Sequence, residues 1–178
     1  NIEILSKSNL EKYMDEIILL DLNTFKIRGN QYSSKPWTKN NFLKDLNGKW
    51  NFSLVVLQSN DKKVLGFSIF SQKSDFLHLH RIAINENYMR HGIGKKMLSQ
   101  TVNKLEKSNL KRITLFVPES NSLAYSFYLK NNFVRAEGAI FEKIIKNFDK
   151  SSGILDNQMI DESGISHYLM YLDSKEMF

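Results

Sequence analysis

The sequence predicts one α/β (α+β) domain, residues 1–178, built on a mixed, mainly antiparallel sheet. Three observations carry this. The second half alternates strand-like apolar runs with helical ones, and the first half holds an apparent β-hairpin. A chain of 178 residues with 42% apolar content suffices for one core and is short for two.

From the N-terminus, Leu10, Met14, Ile17, Ile18 and Leu22 recur near a helical period, so a helix is expected from about Asn9 to Thr24. The pattern breaks into a polar loop from Phe25 to Pro36. A short helix then runs to Leu46, with Thr38 in position to cap it. Phe52–Leu57 reads as a strand, Ser59–Lys63 as a turn and Val64–Phe70 as the returning strand. Leu77–Ile84 is a further strand. The helix expected from about Gly92 to Ser108 carries Ile93, Met97, Leu98, Val102 and Leu105 on one face. Arg112–Val117 is a strand and Ser122–Asn131 a helix. Phe133 to about Ile144 is expected as another strand, with Gly138 as a bulge. Residues 146–166 are polar and patternless, a long mobile loop, and His167–Leu172 closes as the last strand. The alternation implies that strands 77–84 and 112–117 pair in parallel across a helical crossover.

Composition excludes several function classes. With no cysteine, a disulfide framework, a thiolate zinc site and a cysteine nucleophile are ruled out. The 4 histidines show no ligand spacing, so no metal is expected. No apolar run approaches the ~18 residues of a membrane span, and a cytoplasmic protein away from the membrane is expected. The net charge of +6 points to a polyanion. Its lysines are spread along the chain without a nucleic-acid signature, so a phosphate-rich small ligand is expected and nucleic acid is not.

The most informative segment lies between the third strand and the strongest helix. There Gly92 and Gly94 remove side chains where the chain enters the helix, whose first amides and positive dipole end suit a pyrophosphate. Arg90, His91, Lys95 and Lys96 add positive charge. Taken alone the glycine pair is better explained by a tight turn. It is neither a Walker A loop nor a full dinucleotide fingerprint.

The order strand, Gly-x-Gly, helix, strand, helix resembles the GCN5-related N-acetyltransferase (GNAT) family. Its coenzyme motif, Gln/Arg-x-x-Gly-x-Gly/Ala, is matched by Met89 to Gly94, with Met89 departing at the first position. A second family motif, Asn-x-x-Ala-x-x-x-Tyr-x-x-x-Gly-Phe, is matched by Asn121, Ala124, Tyr128 and Phe133. Asn132 stands in place of glycine at a left-handed helix end. The resemblance implies a three-layer fold of about seven strands, split at the 77–84 and 112–117 pair. It also implies acetyl-CoA as co-substrate, direct transfer to an amine in a ternary complex, and a monomer or homodimer.

By the same resemblance, Ile82, Ala83 and Ile84 would pair with the pantetheine arm, and the amides of Arg90, His91, Gly92, Ile93, Gly94 and Lys95 would take the pyrophosphate. Asn121 would orient the coenzyme, and Tyr128 would protonate the leaving thiolate. Out of that context Tyr128 reads as a residue on the apolar face of its helix. His78 and His80, two apart on a strand with Ile82 continuing their face, read either as hydrogen-bonded fillers or as proton acceptors. Their His-Leu-His segment resembles that of serotonin (arylalkylamine) N-acetyltransferases, which implies a proton relay and a small primary amine as acceptor. Pro36-Trp37 and the helix after it resemble the ribosomal-protein N-terminal acetyltransferases, in which Phe116 is usually Glu or His. A peptide or protein amine is therefore the alternative acceptor, and a non-catalytic acyl-CoA-binding module the alternative function. Phe25, Tyr32, Trp37, Phe116 and Tyr168 are candidates for an apolar acceptor wall. Asp149, Asp156, Asp161 and Glu162 would draw in a cation, unless they are simply solvated.

Overall fold

The structure, a computed structural model, describes residues 1–28, 35–148 and 153–174. The chain begins with β1 (Ile2–Ile4), α1 (Lys7–Lys12), α2 (Met14–Arg28), α3 (Lys39–Leu43) and α4 (Lys49–Phe52). The hairpin follows as β2 (Leu54–Leu57) and β3 (Val64–Lys73), then β4 (Phe76–Ile84), α5 (Ile93–Glu106), β5 (Arg112–Pro118) and α6 (Ser122–Leu129). The last part holds β6 (Val134–Arg135), α7 (Gly138–Ile145), β7 (Gly153–Leu155), β8 (Gln158–Ile160) and β9 (Ser166–Asp173).

Among the described residues, these strands form one nine-stranded sheet in the order β1-β2-β3-β4-β5-β9-β8-β7, with β6 also on β9. As the alternation predicts, β4 and β5 pair in parallel. Their register runs from Phe76–Arg112 to Leu79–Leu115 and stops, so the strands part beyond it. The sheet exceeds the expected count through the short strands β1, β7 and β8, which have too few residues to show an alternating pattern.

Two helical layers cover the sheet. On one face Leu77, Leu79, Leu115, Val117 and Met170 pack with Leu98, Val102 and Leu105 of α5 and Tyr128 of α6. On the other, Phe67 and Ile69 meet Met14, Ile17 and Leu20 of α2, while Phe76 and Leu169 meet Phe141 and Ile144 of α7. The first expected helix is two: Ser6 caps α1 in a reciprocal box with Asn9, and α2 begins after Tyr13. Thr38 caps α3 as expected. Buried Lys49 donates from Nζ to the carbonyls of Phe42 and Lys44, tying down the end of α3.

Two expectations are corrected. The run from Phe133 to Ile144 is a strand only at Val134–Arg135; beyond it lies α7, because Phe141, Ile144 and Ile145 recur at helical spacing on its buried face. Gly138, with φ of 54°, opens this helix and is not a bulge. Within the segment expected to be loop, β7 and β8 form a hairpin on the edge of the sheet. Its turn residues Asp156 and Asn157 both have positive φ (48° and 60°), the two-residue geometry that Asp and Asn tolerate. No helix among the described residues is long and apolar enough to cross a membrane.

The helical reading of α7 has a measurable consequence. Phe141 is fully buried between α7 and the sheet. Phe141→Ala should lower unfolding stability by about 3–5 kcal/mol in urea titration; a change near zero would contradict this packing.

Candidate active site

The gap between β4 and β5 is the centre of a cavity of about 340 Å³ that reaches both faces of the sheet. Leu79, Leu115, Val117, Ala124 and Tyr128 line it from the α5–α6 side. Asp21, Trp37, His78, His80, Phe116 and Met159 line it from the other. A break in the strand sets this division. The β3–β4 register shifts between Ile69 and Phe70, which face Arg81 and Leu79, so His80 has no strand partner. That bulge keeps the His78 and His80 rings together, 4.9 Å apart, yet turns Ile82 onto the α5–α6 face. The expected continuation of the histidine face through Ile82 is therefore wrong, because one unpaired residue reverses the alternation.

The Gly-x-Gly segment lies where the chain enters α5. Arg90 (φ 63°) and Gly92 (φ 77°) are both left-handed, and Gly92 is the N-cap. A side chain at Gly92 would meet nothing within 4 Å, which leaves an open approach to the helix end. At Gly94 a Cβ would sit 2.9 Å from Phe127 Cζ and 3.1 Å from Ile84 Cδ1, so glycine lets α5 seat against α6 and β4. The exposed His91 is folded back, its Nδ1–H donating to the Met89 carbonyl at 2.9 Å. Open space, opening-turn amides and the dipole of a fourteen-residue helix fit a diphosphate. Lys95 and Lys96 are exposed beside it.

Asn121 caps α6, its Oδ1 accepting from the Ala124 amide at 3.1 Å, and it also lines the cavity. Two turns on, Tyr128 is 6% exposed, its ring edge-on to those of Phe127 and Phe133. Asn132 is left-handed (φ 64°), and the Phe133 amide donates back to the Tyr128 carbonyl, closing α6 as glycine would.

The strand histidines occupy a cationic corner. His78 is buried, with Nδ1 2.9 Å from Thr114 Oγ1 and aromatic contacts to Phe116 and Phe148. Burial first, then His80 and Lys73, hold its pKa well below the usual value. The Nε2 of His80 is 2.7 Å from Ser71 Oγ. Burial, with Lys73, Lys49 and Lys44 nearby, pushes its pKa down to about 4.

Of the expected acceptor wall, Phe25, Trp37 and Phe116 line the cavity, and Tyr32 lies outside the described residues. Tyr168 stands apart from it. As an even-numbered residue of β9 it packs with the α6-side cluster, its hydroxyl donating to Glu119 Oε1 at 2.7 Å under the Arg135 guanidinium. That hydrogen bond, with some burial, raises the pKa of Tyr168. Asp149 also lies outside the described residues, and Asp161 is engaged in the turn before β9.

Sequence reasoning missed Asp21, Thr24, Arg81, Met159 and His167, all of which line the cavity. Arg81 Nε is 3.1 Å from Asp21 Oδ1, Nη2 donates to the Lys35 carbonyl at 2.7 Å, and the Trp37 amide donates to Asp21 Oδ2 at 2.8 Å. This buried ion pair fastens the segment before α3 to β4. Sixty positions separate its partners, and no local pattern marks either of them.

Two outcomes follow from this geometry. Gly94→Ala should cost about 1–3 kcal/mol in urea unfolding, since Phe127 and Ile84 must move. The histidines set a pH dependence. The folded pKa of His80 lies near 4 and its ordinary value is 6.5, so its contribution to stability is whole above 6.5 and is lost as pH falls toward 4. Urea midpoints should drop between about pH 7 and pH 5, and His80→Gln should make that drop shallower; an unchanged slope would contradict a neutral, half-buried His80.

Comparison with known proteins agrees with this architecture. Residues 17–133 match the acetyltransferase (GNAT) family. Over 102 residues the chain is 28% identical to the ribosomal protein bS18-alanine N-acetyltransferase of Escherichia coli strain K12. That match covers 57% of this chain and 66% of the relative, just under two thirds of its length. The crystal structure of Ard1 from Thermoplasma volcanium superposes with a TM-score of 0.68 at 19% identity, covering 97% of this chain and 96% of that one. A PaiA N-acetyltransferase from Thermoplasma acidophilum, solved in complex with coenzyme A, gives 0.65 at 19%, covering 97% and 98%. With the parted parallel strands, the glycine entry to α5 and the capped α6 all in place, this chain belongs to the acetyltransferase (GNAT) family.

Proposed function

We propose that this chain is an acetyl-CoA-dependent N-acetyltransferase that acetylates the α-amino group of a peptide by direct transfer in a ternary complex. The observation that carries the reading is the cavity through the parted strands, with an anion-suited helix entry on one side and a separate polar chamber on the other. Acetyl-CoA supplies the activated acyl group. The opening of α5 would hold its diphosphate, the end of β4 at Ile82 to Ile84, unpaired on its β5 side, its amide arm, and Asn121 the α6 side. Tyr128, which lines the cavity, would protonate the departing thiolate. The chain has no cysteine to carry an acetyl group, so transfer passes directly to the acceptor.

The chemistry of the chamber supports this acceptor. An alkyl amine with pKa ~10.4 is neutral in about one molecule in 2,500 at pH 7, whereas a peptide α-amine with pKa ~8 is neutral in about one in ten. His78 and His80, held neutral and weakly basic, suit the less demanding amine. They would form a hydrogen-bonding wall beside Phe25, Trp37 and Phe116. The similarity to the bS18-alanine enzyme supports the same class of acceptor.

Release of CoA from acetyl-CoA, followed with a thiol-reactive dye to which this cysteine-free protein is silent, tests the reading. Turnover on alanine-initiated peptides with arylalkylamines inert is the expected result. The reverse preference would restore a small amine as acceptor, and CoA binding without any turnover would leave a binding module. Tyr128→Phe should lower kcat by about 10²-fold while CoA affinity by calorimetry stays unchanged; full activity would remove the acid role.

A further inference from the structure

We propose that His167 is the base that takes a proton from the acceptor amine, with Asp161 as its positioning carboxylate, an assignment that rests on the acetylation reading above. His167 opens β9 and is held on both sides, in register with Pro118 of β5 and Met159 of β8. It is 7% exposed and lines the cavity. Alternation along β9 puts it on the face of Leu169 and Tyr171, the face that also carries Phe116 and Met159. It therefore stands on the acceptor side, away from the helix entry of α5.

The ring's own contacts fix its proton arrangement. Nδ1 is 3.0 Å from the Ile165 carbonyl oxygen, which only accepts, so Nδ1 carries the hydrogen. The neutral ring then has its lone pair on Nε2. Asp161 Oδ2 lies 3.8 Å from that nitrogen, beyond hydrogen-bond length and within ion-pair reach of a charge formed there. Asp161 is itself held, its Oδ1 accepting from the amides of Ser163 at 2.8 Å and Ile165 at 3.1 Å. The nearby carboxylate Glu119 is occupied by the Tyr168 hydroxyl. The strand histidines have the opposite surroundings: lysines approach His80, and His78 is sealed among aromatic rings. Among the described residues, His167 is the one of the three imidazoles in the cavity wall with a carboxylate at ion-pair distance.

The step balances as follows. Nε2 takes a proton from the acceptor ammonium, and the neutral amine forms a C–N bond to the thioester carbonyl carbon as the C–S bond breaks. The thiolate takes the Tyr128 phenolic proton, the second proton lost from nitrogen restores the phenol, and the imidazolium releases its proton to solvent. The sum is ammonium plus thioester giving amide, thiol and one proton.

The test uses the full chain, acetyl-CoA and an alanine-initiated peptide. His167→Ala should lower kcat at least about 10²-fold with CoA affinity unchanged, and added imidazole should restore part of the rate. Asp161→Asn keeps a carbonyl oxygen for the Ser163 and Ile165 amides, so the turn survives, and it should lower kcat several-fold without changing peptide KM. A loss under threefold in His167→Ala, or a loss matched by weaker CoA binding and unmoved by imidazole, would overturn the assignment. If the unaltered chain turns over no peptide, the acceptor reading fails separately. The nitrogen NMR spectrum of the His167 ring then decides: a neutral ring protonated at Nδ1 supports the assignment, and one protonated at Nε2 overturns it.

Discussion

The parting of β4 from β5 is the constraint on which the rest of the site depends. Two parallel strands paired along their whole length would satisfy each other's backbone and leave no passage. Here pairing ends at Leu79 and Leu115, and the next residue of β4, His80, is also unpaired toward β3. The same short stretch thus opens the sheet and turns the following side chains over. Backbone groups left unmatched beyond it are those that an extended ligand arm can pair with. Strong packing on both faces holds the opening, with the α5 cluster on one side and the α2 and α7 clusters on the other.

Around that opening the two faces carry different chemistry. On the α5 side, a left-handed Gly92 and a Gly94 pressed against Phe127 bring a long helix's positive end to the rim with no side chain in the way. On the opposite side, polar groups are partnered within the protein: Asp21 with Arg81 and the Trp37 amide, His80 with Ser71, His78 with Thr114. A buried polar group without a partner costs more than the pair contributes, so such a chamber is ordered before a ligand enters. Preorganisation of this kind lowers the reorganisation needed during transfer.

The three imidazoles in the wall illustrate how surroundings, not residue type, set proton chemistry. Two sit among rings and near lysines and stay neutral; the third sits beside a carboxylate fixed by its own turn. β8 therefore contributes through Met159 against the cavity, and the turn from β8 to β9 carries Asp161.

By itself the sequence determined the parts whose physics is local. The period of α5, the cap at Thr38, the glycines at its helix entry and the Asn121-to-Phe133 helix with its left-handed end all depend on neighbours a few residues away, and each is legible as a pattern. The two runs that form the parallel pair were legible for the same reason. Tertiary structure decided whatever joins distant positions or breaks a period. The bulge at His80 follows from pairing with β3, Asp21 meets Arg81 across sixty residues, and Tyr168 and His167 fall on opposite faces through β9's register. Strands of two or three residues, such as β6, β7 and β8, take their form from the neighbour that supplies hydrogen bonds. A segment that short has no periodicity of its own to read, because its conformation is stabilised only once the partner strand is in place.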